Sequence, residues 1–260
     1  TATSGDTGSA AVEAFKGISN VNLYVLYPHE RISQIQRKQM TTSNAKNVKV
    51  FAVQGTFDDC QLIVKELFAD KALVSDVNLS GVNSINWARI LVQIIYYFSA
   101  FYQLKDLSAG NLSFSVPTGN FGDAYAGYIS KRMGLPINKI IVATNKNDIL
   151  DRVFKTGLYK SDSVSKTLSP SMDIQVASNF ERLLFDLLNH DTKEVRRLMN
   201  NLSNKGHFNL EKKLLTRVSK DFDSGAVTDT DTIATINHFY NKREIVLCPH
   251  SAIGVRVAKD

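Results

Sequence analysis

Four segments near the start of the chain alternate in a way that few folds allow. Residues 22–27 and 48–53 are nearly continuous apolar runs of strand length. Residues 32–40, with Ile35 and Gln39 in step, carry helical spacing, as do residues 58–68, where Cys60, Ile63, Val64 and Leu67 share one face. Strands apolar on both sides belong to a parallel sheet covered on both faces. The β-α-β-α order then requires right-handed crossovers, an α/β architecture. Ligands of such sheets collect at the carboxyl ends of the strands. A further buried-type strand is expected at 140–144. Amphipathic helices are expected at 180–189, 192–202, 210–218 and 231–240, with an exposed acidic turn between the last two. Residues 159–171 read as a polar loop, and 245–248 as a returning strand.

The stretch Ser113-Phe-Ser-Val-Pro-Thr-Gly-Asn-Phe-Gly-Asp-Ala124 sits where a ligand of such a fold belongs. Residues 113–116 alternate as a short strand does, and Pro117 stops further pairing at its nitrogen. Gly119 and Gly122 let the backbone turn sharply and come close to a ligand. A helix follows over 124–133, closed by Gly134 with Pro136 beyond it. Free N–H groups and about half an elementary positive charge gather at such a helix start, which suits a phosphate. The spacing also fits a plain connector. No Gly-Lys-Ser/Thr follows, so it is not a Walker loop, and the first glycine pair of the dinucleotide fingerprint is absent.

Two more polar helix starts stand out. Thr3-Ser-Gly-Asp-Thr-Gly8 precedes a short helix over 9–16, which Ser4 or Asp6 is placed to cap. A simple N-cap and a carboxylate site both fit. Asn83-Ser-Ile-Asn-Trp-Ala-Arg89 opens a long helix to about residue 103, with Asn83 or Ser84 as N-cap. Asn83, Asn86 and Arg89, three apart, are expected on one face. Capping plus a salt bridge is one reading; an anion site using the guanidinium fork is the other. Beyond Arg89 this helix is apolar around most of its circumference and is expected to run through the core.

Composition excludes several classes. The chain has 260 residues, 43% of them hydrophobic, enough for two compact lobes. The net charge of +6 is dispersed, which suits anionic small substrates or a solvated surface, and no basic stripe interleaved with aromatics points to nucleic acid. Cys60 and Cys248 are isolated and the five histidines have no ligand spacing, so no metal is expected. The apolar run between Arg89 and Lys105 is shorter than the roughly 18 residues of a membrane span. With no signal peptide, the chain reads as a cytosolic protein. Because it opens at Thr1 inside a glycine-punctuated turn, it is expected to be a fragment of a longer protein.

Pro117-Thr-Gly-Asn-Phe-Gly-Asp123 resembles the cofactor-phosphate loop of the threonine synthases, fold-type II (tryptophan synthase β-like) enzymes that use pyridoxal 5'-phosphate. Other segments are similar to signatures of that family. They are 2–11, Gln36-x-x-Gln39-Met-Thr-Thr42, Gly55-Thr-Phe-Asp-Asp-Cys-Gln61, Asn83 to Arg89, Asn145-x-Asn-Asp148, Leu168-Ser-Pro-Ser-Met-Asp173, Ser178-Asn-Phe-Glu-Arg182 and Pro249-His-Ser-Ala252, in the family's order and most like its longer, yeast-like branch.

The resemblance implies a small α/β lobe over 1–80 and a larger cofactor-binding lobe over 81–260, with a helical insertion at about 180–240. It implies conversion of O-phosphohomoserine and water to L-threonine and phosphate by a monomer or homodimer. A threonine synthase-like phospho-lyase and a catalytically silent anion-binding domain are the other possibilities. Gly119, Asn120, Phe121, Gly122 and Asp123 match the residues that hold the cofactor phosphate. Asp6 stands where many such enzymes place an Asn near the cofactor hydroxyl. Ser4, Gly5 and Thr7 match the grip on the substrate carboxylate, and Asn83, Ser84, Asn86 and Arg89 the pocket for the substrate phosphate. The Schiff-base lysine is expected upstream of Thr1 and the Ser/Thr at the pyridine nitrogen beyond Asp260. No lysine here matches a catalytic one, so the 260 residues alone are not expected to bond the cofactor covalently. Cys248 replaces the family's usual Asp or Glu, with no functional account.

Overall fold

The computed structural model describes residues 1–104, 106 and 112–260; Lys105, expected to bracket the apolar run, lies outside them. The chain divides into two compact units, Thr1–Asn86 and Trp87–Asp260.

In the first unit, β1 (Leu23–Pro28) and β2 (Val48–Val53) pair in parallel, with Leu23 opposite Val48 and Pro28 opposite Val53. The first residues join the free edge of β1: the Thr3 amide donates to the Leu26 carbonyl at 2.9 Å, and that of Leu26 to the Thr1 carbonyl at 2.8 Å. Helices α1 (Asp6–Phe15) and α2 (Gln34–Thr41) pack together, and with β1 they bury Ala11, Val12, Val25 and Met40. Asn47 ties the chain from α1 to β1, its Nδ2 donating to the carbonyls of Phe15, Ile18 and Val21. Helix α3 (Phe57–Ala69) begins at a reciprocal cap. The Thr56 amide donates to Asp59 Oδ2 at 2.6 Å, and the Asp59 amide donates to Thr56 Oγ1 at 3.3 Å. A short helix, α4 (Lys71–Asp76), follows.

The second unit opens with α5 (Trp87–Leu104) and builds a parallel sheet in the order β3 (Leu112–Pro117), β4 (Ile137–Thr144), β7 (Phe222–Ala226). Between these strands come α6 (Gly122–Arg132) and α7 (Ile149–Thr156), then β5 (Leu158–Lys160), a 3-10 turn at Pro170–Met172, α8 (Phe180–Leu187), α9 (Thr192–Lys205), β6 (His207–Asn209) and α10 (Lys212–Asp221). Helices α11 (Asp229–Arg243) and α12 (Pro249–Lys259) close the chain, and β5 pairs with β6 in an antiparallel ribbon. The Phe121 ring lies at the centre of the core, 5.7 Å from Phe180, 5.6 Å from Phe222 and 6.0 Å from Phe154, centroid to centroid.

Four expectations fail for physical reasons. The acidic turn between α10 and α11 contains β7, the third strand of the main sheet; Phe222-Asp-Ser-Gly-Ala226 pairs through its backbone although it carries no β-branched residue. Residues 245–248 are not a strand but an irregular lead-in to α12, with Val246 76% exposed. The long helix starts at Trp87 rather than Asn83, because the polar residues before it bond elsewhere. It also does not run through the core. Ile90, Ile94 and Tyr97 are buried on the side that meets α6, whereas Leu91, Val92, Ile95 and Tyr96 are exposed. Apolar residues on all sides are buried only when neighbours pack on all sides, and among the described residues none covers that face.

Candidate functional site

Strand β3 ends where its neighbour β4 fixes the chain: the Thr118 amide donates to the Ala143 carbonyl at 2.7 Å. The loop then runs to α6, which has no side-chain cap. Phe121 does not present its amide to a ligand as expected, since that N–H donates to the Ser178 carbonyl at 2.8 Å. Its role is to bury its ring and so pin the loop to the core. Among the described residues the N–H groups of Gly122, Asp123 and Ala124 meet no protein acceptor, being the first three amides of the helix. Asn120 Oδ1 accepts from the Ser178 hydroxyl at 2.8 Å and its amide at 3.2 Å, which leaves Nδ2 as the loop's side-chain donor.

Neither Gly119 nor Gly122 adopts positive φ, so the sharp turn expected of them is not their reason for being glycine. A Cβ on Gly119 would lie 2.9 Å from the Ser171 carbonyl oxygen and 3.0 Å from Met172 Cα. Backbone packs on backbone there, and only hydrogen fits between. The Ser171 hydroxyl beside it is buried without a hydrogen-bond partner. Burial pushes the Asp123 carboxyl above its ordinary value, the direction that lessens repulsion of an anion at the helix start. The Tyr97 hydroxyl holds the Asp123 carbonyl at 2.9 Å.

The Thr3–Gly8 turn differs from expectation. Neither Ser4 nor Asp6 caps α1; Gly5 is the N-cap, at φ 132°, and has no side chain to offer the helix. Thr3, not singled out from sequence, does the local work: 1% exposed, its Oγ1 accepts from the amides of Gly5 at 2.9 Å and Gly8 at 2.8 Å. Asp6 Oδ1 accepts from Gln36 Nε2, and the Gln36 side chain occupies the space a Cβ on Gly5 would need. Ser4 and Thr7 are half-buried at the same helix start.

Asn83 and Asn86 do not share a helical face with Arg89, because both precede the helix in a turn closed by the Asn86 amide and the Asn83 carbonyl at 3.0 Å. Asn86 Nδ2 donates to the Gly81 carbonyl at 2.8 Å, and Asn83 Nδ2 reaches the Ala2 carbonyl at 3.4 Å. Such local bonds hold Asn out of a helix. Asn83, 6% exposed, keeps its Oδ1 buried and unbonded. Ser84 is half-buried in the turn. Arg89 lies in the first turn of α5, where burial lowers its guanidinium from the ordinary value.

A parallel-sheet fold with an uncapped helix start at a strand's carboxyl end is an arrangement that α/β proteins use to receive a phosphate. The family model of pyridoxal-phosphate dependent enzymes matches residues 1–208, and the chain belongs to that family. It is 49% identical over its whole length to threonine synthase of Pseudomonas aeruginosa, of which it covers 55%. It is 40% identical over 97% of its length to human threonine synthase-like 2, covering 53% of it. The crystal structure of PLP-bound threonine synthase from Brucella melitensis superposes with a TM-score of 0.88 and 50% identity, over 99% of this chain and 55% of that one. The chain thus spans about half the length of the curated relatives it matches. Pyridoxal 5'-phosphate is the cofactor of the family, and the loop fits its phosphate. The three unpaired amides and Asn120 Nδ2 are the kind of donors an anion of that size takes.

Proposed function

We propose that the full-length protein is a threonine synthase, converting O-phosphohomoserine and water to L-threonine and inorganic phosphate with pyridoxal 5'-phosphate. The observation that carries this is the likeness to threonine synthases from one end of the chain to the other, together with the uncapped amides of Gly122, Asp123 and Ala124. In this reading the first unit is most of a small lobe and the second much of the cofactor-binding lobe of a cytosolic monomer or homodimer.

Gly119, Asn120, Gly122 and Asp123 would hold the cofactor phosphate, with Phe121 anchoring them through its buried ring. Asp6, steadied by Gln36, would lie near the cofactor hydroxyl. When bound, the cofactor supplies an electron sink for negative charge developed beside the substrate's amino group. Ser4, Gly5 and Thr7 would grip the substrate carboxylate at the start of α1, where helix amides favour an anion. Asn83, Ser84, Asn86 and Arg89 would receive the substrate's phosphate, the guanidinium contributing a fixed fork of donors to a group that gains charge as it leaves.

A second reading is a threonine synthase-like phospho-lyase that acts on a related phosphorylated hydroxy amino acid without releasing threonine; the likeness to a relative named threonine synthase-like 2 keeps it open to test. Incubating the full-length protein with O-phosphohomoserine and separating the products decides between them. Threonine with stoichiometric phosphate is expected; 2-oxobutyrate would favour the lyase, and no turnover a silent anion-binding protein.

A further inference from the structure

The motifs at 145–148 and 168–173 have no part in the proposed chemistry, yet they form a closely bonded polar cluster in the second unit. At its centre is Asp173. Its Oδ1 accepts from Asn145 Nδ2 at 2.8 Å, Asn147 Nδ2 at 3.0 Å and Thr167 Oγ1 at 2.6 Å, and its Oδ2 from the Thr167 amide at 2.9 Å. Asn145 and Asn147, 1% and 3% exposed, follow directly on the carboxyl end of β4. A carboxylate is the one side chain with acceptor sites for four such donors and no hydrogen of its own to misdirect. The cluster fastens the 167–173 segment to the end of the sheet.

What this segment touches gives the cluster its consequence. Its 3-10 turn presents the Ser171 carbonyl and Met172 Cα to Gly119, leaving no space for a side chain. A few residues on, Ser178 bonds both the Asn120 carboxamide and the Phe121 amide. We propose that Asp173 is a positioning residue for the anion loop: it fixes the turn against which Gly119 rests, and so sets where the loop's free amides point. This rests on the reading of the loop as the cofactor-phosphate site.

The test uses full-length protein stripped of cofactor, with pyridoxal 5'-phosphate affinity measured by fluorescence and the bound phosphate observed by its phosphorus NMR shift. Urea unfolding of the apo form is recorded alongside. Asp173→Asn turns a donor toward donors and is expected to weaken binding about tenfold and move the phosphorus signal. Thr167→Val, which removes one bond, is expected to weaken it about threefold and decides the matter if Asp173→Asn does not fold. Asp151→Asn is the control, a buried carboxyl bonded to Lys155 and Ser224. It is expected to lower stability while leaving affinity and phosphorus shift unchanged. If Asn120→Ala binds like wild type, the loop is not the phosphate site and both readings fall. If Asn120→Ala loses affinity while Asp173→Asn and Thr167→Val do not, or Asp151→Asn does so equally, the positioning role alone is overturned.

Discussion

The side-chain oxygen of Asn120 accepts two hydrogen bonds from one residue, Ser178, 58 positions downstream: 2.8 Å from its hydroxyl and 3.2 Å from its amide. This clamp turns Nδ2 of Asn120 outward as a donor. Replacing Ser178 with Ala removes the shorter bond and leaves the carboxamide held only by the longer one from the main-chain amide. A loss of about 1 kcal/mol in cofactor affinity, roughly fivefold, is expected. Equilibrium titration of the apo protein with pyridoxal 5'-phosphate measures it, and wild-type affinity would show that the clamp does not orient the donor.

Gly119 is constrained by contact rather than by dihedral angle. Gly119→Ala places a methyl 2.9 Å from one main-chain atom and 3.0 Å from another, neither of which can swing away. A cost of about 1–3 kcal/mol is expected, visible as a lowered urea midpoint of the apo protein. Cofactor affinity should fall with it.

For Arg89, substitution by Lys keeps the charge and discards the planar fork. If this residue receives the substrate phosphate, Arg89→Lys should raise KM for O-phosphohomoserine about tenfold with a smaller change in kcat. Inhibition by inorganic phosphate should weaken in parallel. Steady-state kinetics on the full-length protein decide it; an unchanged KM would remove Arg89 from the pocket.

Asp123 predicts a pH dependence. Burial raises its carboxyl in the folded chain, so over the range between its ordinary and raised values the unfolded chain releases the proton first. Stability from this group is full below the ordinary carboxylate range and is lost as pH rises through the folded value. Asp123→Asn abolishes that slope. Urea unfolding of both apo proteins from about pH 4 to about pH 8 should show the variant gaining on wild type as pH rises; a constant difference would refute the assignment.

The alternation of 22–27, 32–40, 48–53 and 58–68 sufficed to specify a parallel α/β arrangement, whereas among the described residues the cover expected on both faces is not found over β2, where Phe51 is 49% exposed. The motif around Gly119 likewise marked a helix start with unpaired amides, since an uncapped helix after a strand is a local property. The residues that act through local backbone geometry were therefore legible.

Tertiary contacts alone settled the rest. Strand β7 is invisible in Phe222-Asp-Ser-Gly-Ala226 because its partner β4 lies some 80 residues earlier, and pairing, not propensity, makes it a strand. Thr3 and Ser178 gained their roles from main-chain groups brought to them by the fold. Phe121 lost its expected amide contact in the same way, to a carbonyl 57 residues on. Gly119 most clearly marks the division. Its sequence neighbours announce a flexible turn, whereas its need for glycine comes from the backbone of Ser171 and Met172, which no spacing within the loop could reveal.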